Sequence, residues 1–179
     1  MDLKSHEFKI KSGMTCLSDC GKCCQYPEVS ASVLEMLPLA AELVESGNLK
    51  NYNVNDNSDR CQFFNQSKKN PDHGFCQEYS NRPVVCRLFG WMSNLDKNQS
   101  VHLMTCGPIR LAFPETVNKI MNDEELMSLL PSLSFWSEKF NSLEPSLGRA
   151  IYPINQAFKL AVEKILFLKQ LVIKSYNQN

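Results

Sequence analysis

Two stretches of the chain carry apolar residues at helical spacing. From residue 29 the run V-S-A-S-V-L-E-M-L-P-L-A-A-E-L-V-E-S-G predicts a helix. Ser32 with Glu35 fits a capping box, and Gly47 fits a stop. Pro38 predicts a kink or a division into two helices. At the far end, Pro153 at a first helical position predicts a long helix to about Tyr176. Its apolar set is Ile154, Ala157, Phe158, Ala161, Ile165, Leu168 and Val172, widened by Leu160, Leu166, Phe167, Leu171 and Ile173. So wide a face predicts a buried core helix; the alternative is a dimer interface or a helix that fills a partner's groove. The last five residues, S-Y-N-Q-N, are expected to fray.

Shorter helices are predicted between these two. Pro114 opens one towards Met121, Asn122 with Glu125 caps a second that ends at Pro131, and residues 133–143 carry Phe135, Trp136 and Phe140 in a third. Residues 49–60 are rich in Asn and Asp and read as a loop. Residues 61–64 and 75–79 read as short strands joined by a polar loop, a small hairpin carrying Cys61 and Cys76. No element is assigned to residues 1–13, and His6 is placed in a loose terminus. The expected fold class is mainly α with a small β-hairpin. An N-terminal segment (1–13) precedes an irregular cysteine-rich metal-binding region (14–108), which packs on C-terminal helices (109–179) in one compact domain.

Composition narrows the class. The 179 residues include 19 Lys plus Arg and 19 Asp plus Glu, so no net charge marks a nucleic-acid or acidic-membrane binder. No apolar run reaches membrane-spanning length without charge. The start, M-D-L-K-S-H-E-F-K-I, has no apolar core of signal-peptide length, which predicts a cytoplasmic protein.

The chemistry lies in the eight cysteines. Cys16, Cys20, Cys23 and Cys24 fall in the run C-L-S-D-C-G-K-C-C, and Cys61, Cys76, Cys86 and Cys106 follow. Clustered thiolates are soft ligands, and all eight are candidate metal ligands. A disulfide framework fits poorly with a reducing cytosol and with adjacent Cys23 and Cys24. Inert core thiols account for one or two positions, not for the cluster. Zinc takes four ligands, often from C-x2-C pairs such as Cys20–Cys23. A 4Fe–4S cluster also takes four cysteines. The spacing C-x3-C-x2-C at Cys16, Cys20 and Cys23 resembles, in spacing alone, the cluster loop of radical S-adenosylmethionine enzymes. The chain is too short for their barrel. Iron–sulfur is therefore preferred over zinc, and zinc stays open.

Residues 74–90 read G-F-C-Q-E-Y-S-N-R-P-V-V-C-R-L-F-G. With Cys16–Cys24 and the run from Cys61 to Phe64, they resemble the bacterial CxxCxxCC family of zinc- or iron-chelating domains. The matching elements are Cys76, Tyr79, Arg82, Pro83, Cys86, Arg87 and Phe89. The x3 gap between Cys16 and Cys20 departs from the family's x2 and argues against a simple zinc ribbon. Flagellin lysine N-methylase is similar to the same family. The resemblance thereby implies an iron–sulfur cluster and, as an alternative function, a metal-dependent protein-modifying enzyme.

Pro83 turns the chain and is expected to bring Cys76 and Cys86 towards each other. Arg82 and Arg87 are expected to stand behind the ligands and offset thiolate charge. Tyr79 is expected to pack its ring with its hydroxyl on a polar partner. His73 and His102 are weaker ligand candidates. No Ser/His/Asp set, P-loop or G-x-G-x-x-G sequence is present. The expected function is metal binding, with a metal ion as partner. A metal-dependent enzyme and a thiol-based metal chaperone or redox sensor stand as alternatives. A protein partner or a homodimer through the C-terminal helices is a further expectation.

Overall fold

The computed structural model describes residues 2–98 and 100–176. The chain is mainly helical, with three small antiparallel strand pairs among the described residues. In chain order the elements begin with α1 (Asp2–Ser12), α2 (Lys22–Gln25), β1 (Ser30–Ser32) and α3 (Val33–Glu45). The middle holds β2 (Phe64–Gln66), β3 (Gly74–Cys76), α4 (Val84–Leu88), β4 (Met92–Leu95) and β5 (Val101–Met104). The rest is α5 (Gly107–Ala112), α6 (Pro114–Met121), α7 (Glu124–Leu129), α8 (Leu133–Leu143), α9 (Pro145–Gly148), β6 (Ile151–Pro153) and α10 (Ile154–Tyr176). No helix among the described residues is long and apolar enough to cross a membrane.

The elements fall into two compact units that interleave along the chain. The first takes Met1–Cys23, Gln66–Phe75 and Val84–Lys139; the second takes Cys24–Asn65, Cys76–Pro83 and Phe140–Asn179. In the first unit, Phe8, Met14, Trp91, Ile109, Val117, Ile120, Leu126 and Leu130 form one buried cluster. Helix α1 supplies Phe8, so the residues expected to be a loose terminus are a helix instead. Asp2 in its first turn and Lys9 and Lys11 in its last suit the helix dipole, and Gly13 at φ +69° ends it. The β4–β5 hairpin, which the sequence reading did not assign, pairs Met92 with Met104 and Leu95 with Val101.

In the second unit, α3 packs on α10, and β1 pairs with β6. The Ser32 hydroxyl accepts the Glu35 N–H at 3.3 Å, and the Ser32 N–H donates to the Glu35 carboxylate at 2.8 Å. This is the predicted capping box, worth about 1 kcal/mol. Pro38 lies inside α3 without dividing it; its missing N–H forfeits one helix bond, while the flanking Met36, Leu39 and Ala40 stay buried.

Several predicted boundaries move. Pro153 closes β6, and α10 begins at Ile154, because strand pairing with Ser30 takes that position. Asp123, not Asn122, caps α7: its carboxylate accepts the Leu126 N–H at 3.0 Å. The first strand of the predicted hairpin is 64–66 rather than 61–64. Cys61 sits in a turn closed by the Phe64 N–H on its carbonyl at 3.1 Å, so the hairpin carries Cys76 alone. The wide face of α10 is core only in its first half, where Ile154, Ala157, Phe158, Ala161 and Val162 are buried; Leu166, Leu168, Leu171 and Val172 are exposed. The fraying expected at the end bears on 177–179, which lie outside the described residues, and on Ser175 and Tyr176, which belong to α10.

Candidate metal centre

The loop that carries Cys16 and Cys20 curls through two left-handed residues, Asp19 at φ +53° and Gly21 at φ +55°. Aspartate is one of the few side chains that tolerate this region. The Cys20 N–H reaches the Leu17 carbonyl at 3.4 Å, and the Gly74 N–H donates to the Asp19 carbonyl at 2.9 Å. Lys22 stands 4.0 Å from Asp72, so an ion pair also links the loop to the segment before β3.

Cys106 joins this loop from far along the chain. It precedes α5 in extended backbone, with its thiol half-buried. Burial pushes that thiol up, the dipole of the nearby Ile109 N–H pulls the other way, and the charges of Cys20 and Cys23 push it further up. Cys20, Cys23 and Cys106 therefore lie within electrostatic reach of one another in the first unit. Gly90 lies beside Cys106 and Ile109. A Cβ there would stand 2.6 Å from Ile109 Cδ1 and 3.6 Å from Cys106 Sγ, and its φ of +106° is one that side chains rarely adopt. The sequence signal was present, since Gly90 closes the motif C-R-L-F-G, but nothing in the spacing tied it to Cys106.

The division between units falls between Cys23 and Cys24. Cys16, Cys20, Cys23, Cys86 and Cys106 belong to the first unit, and Cys24, Cys61 and Cys76 to the second. Cys24 and Cys61 are buried, and the Cys61 N–H donates to the Cys24 carbonyl at 3.0 Å. Asn155, a buried polar residue with no sequence pattern to mark it, fixes this stretch. Its Nδ2 donates to the Ser58 and Arg60 carbonyls at 3.1 and 2.9 Å, and its Oδ1 accepts the Gln62 N–H at 3.0 Å. Tyr52 packs edge-on to Phe63, and its hydroxyl donates to Glu78 at 2.5 Å. Burial first, then that carboxylate and the nearby Cys76, push the Tyr52 hydroxyl well above its ordinary value.

The two arginines of the motif part company. Arg82, in the second unit, stacks 3.4 Å over the Tyr79 ring and donates to the Tyr79 carbonyl at 3.0 Å. Arg87, in the first, pairs with Asp2 at 3.1 Å. Tyr79 is half-exposed under its arginine. His73 lies in the turn before β3, its carbonyl accepting the Ser67 N–H at 2.8 Å. His102 stands 3.0 Å from Asp96.

The donor chemistry of the loop fits a soft metal, since it holds thiols. Among the described residues no three Cys, His, Asp or Glu side chains converge as a finished metal cage. A family model, CxxCxxCC, described as "Putative zinc- or iron-chelating domain", matches residues 15–107, just over half of the chain. No curated protein and no solved structure matches.

Proposed function

The chain belongs to the CxxCxxCC family, and from that premise we propose that Cys20, Cys23 and Cys106 form the nucleus of a metal centre in its first unit. Cys16 and Cys86, in the same unit, are the candidates to complete it. What supports this reading is that Cys20 and Cys23 lie within electrostatic reach of Cys106, more than eighty residues along the chain. Cys24 and Cys61 serve chiefly as buried thiols of the second unit, and Cys76 lies beside Tyr52 there.

The open arrangement suits a site that closes on its metal, so that binding and local ordering are one event. The loop spacing favours a 4Fe–4S cluster, which would supply one-electron chemistry or sensing; zinc in the same thiols would supply structure. Arg87 sits one residue from Cys86 and offsets thiolate charge from there. Such thiolates persist in a reducing compartment, which favours the cytoplasm.

Metal content and visible absorption of protein purified without oxygen test the proposal. A brown protein with about four irons per chain supports the cluster. A colourless protein with stoichiometric zinc, lost on Cys106→Ser, keeps the site and changes its metal. Metal content unaffected by Cys20→Ser, Cys23→Ser and Cys106→Ser would sink it.

A further inference from the structure

Helix α1 lies outside residues 15–107, the part that the family model matches, yet it reaches every cysteine-bearing segment of the first unit. By continuity it leads into the loop: Gly13 ends the helix at φ +69°, and the fully buried Met14 comes just before Thr15 and Cys16. At its start, Asp2 pairs at 3.1 Å with Arg87, the neighbour of Cys86 on α4. In its middle, Phe8 enters the buried cluster of Trp91 and Ile109, against which Cys106 packs. Lys9 adds its ammonium 4.3 Å from the centre of the Trp91 ring. At its end, Lys11 pairs with Glu125 of α7 at 3.1 Å.

The helix is held by a polar face. Phe8 is its one buried apolar side chain, while Leu3 and Ile10 are 86% and 68% exposed. Asp2, Ser5 and Lys9, at positions i, i+3 and i+7, are the polar residues that meet the rest of the unit. The Ser5 hydroxyl is buried without a hydrogen-bond partner among the described residues, which opposes docking. An ordinary surface helix turns an apolar stripe inward. Helix α1 is fastened instead by one phenylalanine and by exposed ion pairs, which are weak in water. Local opening of such an element needs less free energy than unfolding of the whole unit, and a free helix of this length does not persist.

We propose that α1 is a strap that gates metal exchange at the thiols of the first unit. Docked, it holds the loop, α4 and the start of α5 in one arrangement. Undocked, it frees the loop and withdraws Phe8 from the cluster that seats Cys106. Exchange then runs through a minor open state, at a rate set by the population of undocked α1. The inference rests on the reading of Cys20, Cys23 and Cys106 as a metal centre.

Release of zinc from the reduced, zinc-loaded full chain to excess chelator tests it, with amide exchange measured on the same samples. Phe8→Ala should speed release about ten-fold or more, because it removes the anchor of the docked state. Ser5→Ala should slow release about three-fold, because it removes the orphaned hydroxyl and favours the helix. Amides of α1 should change by the same factors, while those of α6 and α7 keep their protection. That readout separates a strap from a helix that merely belongs to the fold. If Phe8→Ala does not fold, Ser5→Ala decides alone. Release at the wild-type rate in Ser5→Ala would overturn the strap, as would protection lost equally from α1, α6 and α7 in Phe8→Ala. Full zinc content in Cys106→Ser would overturn the centre and the strap with it. Zinc lost from Cys106→Ser, with release indifferent to both α1 substitutions, would overturn the strap alone.

Discussion

The two units reach order by different routes. In the second, one short helix lies along one long one, a capping box starts α3, and a single buried amide, Asn155, ties down the loop ahead of the strands. Each of these contacts would form in the absence of any ligand. In the first, helices of 5–11 residues and one hairpin surround a modest apolar cluster, and the cysteine loop is held by few contacts: Gly74 N–H to the Asp19 carbonyl, a long Cys20 to Leu17 bond and an exposed Lys22–Asp72 pair. Helices this short are marginal without tertiary support. The contrast teaches where a metal would matter: it would add least to the helical pair and most to the loop that brings Cys20, Cys23 and Cys106 into reach.

Removing the metal is therefore the strongest way to test that contrast. Chelation of the loaded protein should unfold or loosen the first unit, because structural metal binding contributes folding free energy directly. Hydrogen exchange is the measurement that separates the units. Amides of α5 and of the cysteine loop should lose protection, while those of α3 and the first half of α10 keep theirs. Equal loss in both would show that the units fold as one.

Gly90→Ala attacks the same unit without touching a thiol. The new methyl would meet Ile109 Cδ1 at 2.6 Å, and Ile109 is buried, while the backbone stays at φ +106°. Strain and overpacking together should cost about 3 kcal/mol. If Gly90 sets the position of Cys106, metal content should fall along with the urea midpoint. A destabilised chain with full metal content would separate the two roles.

How far the sequence foretold this arrangement follows from what each signal depends on. The capping box of α3 and the spans of α6 and α8 were legible because caps, prolines and helical spacing act within a few residues. The wide face of α10 was legible as apolar but not as half-exposed, since exposure depends on where α3 ends. Helix α1 was missed because only Phe8 and Ser5 of its residues are buried, too few for a periodic signal. The cysteines announced metal chemistry by their types and crowding. Which of them approach one another was not readable: Cys61 and Cys106 were the less secure ligands by motif, yet Cys106 lies within electrostatic reach of Cys20 and Cys23 and beside Gly90. Asn155 gave no signal, because one buried amide in an apolar helix has no pattern.

Asn155→Leu is the matching test in the second unit. It removes both donors and the acceptor that hold residues 58, 60 and 62, and the apolar side chain keeps water from replacing them. Stranding these backbone groups should cost about 2 kcal/mol, less than their sum because the loop is partly exposed and relaxes. The melting temperature should fall while the protein's metal content is retained. Loss of that metal in Asn155→Leu would break the comparison, since it would couple the two routes to order.

The smallest expected effect lies in the β4–β5 hairpin of the first unit and depends on pH. The Asp96 carboxylate faces His102 at 3.0 Å and accepts the Asn98 and Ser100 N–H groups at 2.8 and 2.9 Å. The His102 bond first, then those backbone donors, hold its carboxyl below the usual carboxylate value. A depressed folded-state pKa means that the ionised carboxylate stabilises the folded hairpin. That contribution is complete above the ordinary aspartate value of about 4 and is lost as the pH falls through the lower folded value. Asp96 is open to solvent, so salt weakens the effect. Amide exchange or chemical shifts of β4 and β5 should show a local acid transition that Asp96→Asn abolishes, with α3 and α10 unaffected. A transition of the same midpoint in Asp96→Asn would assign it to another group and leave the turn without an electrostatic part in holding the hairpin.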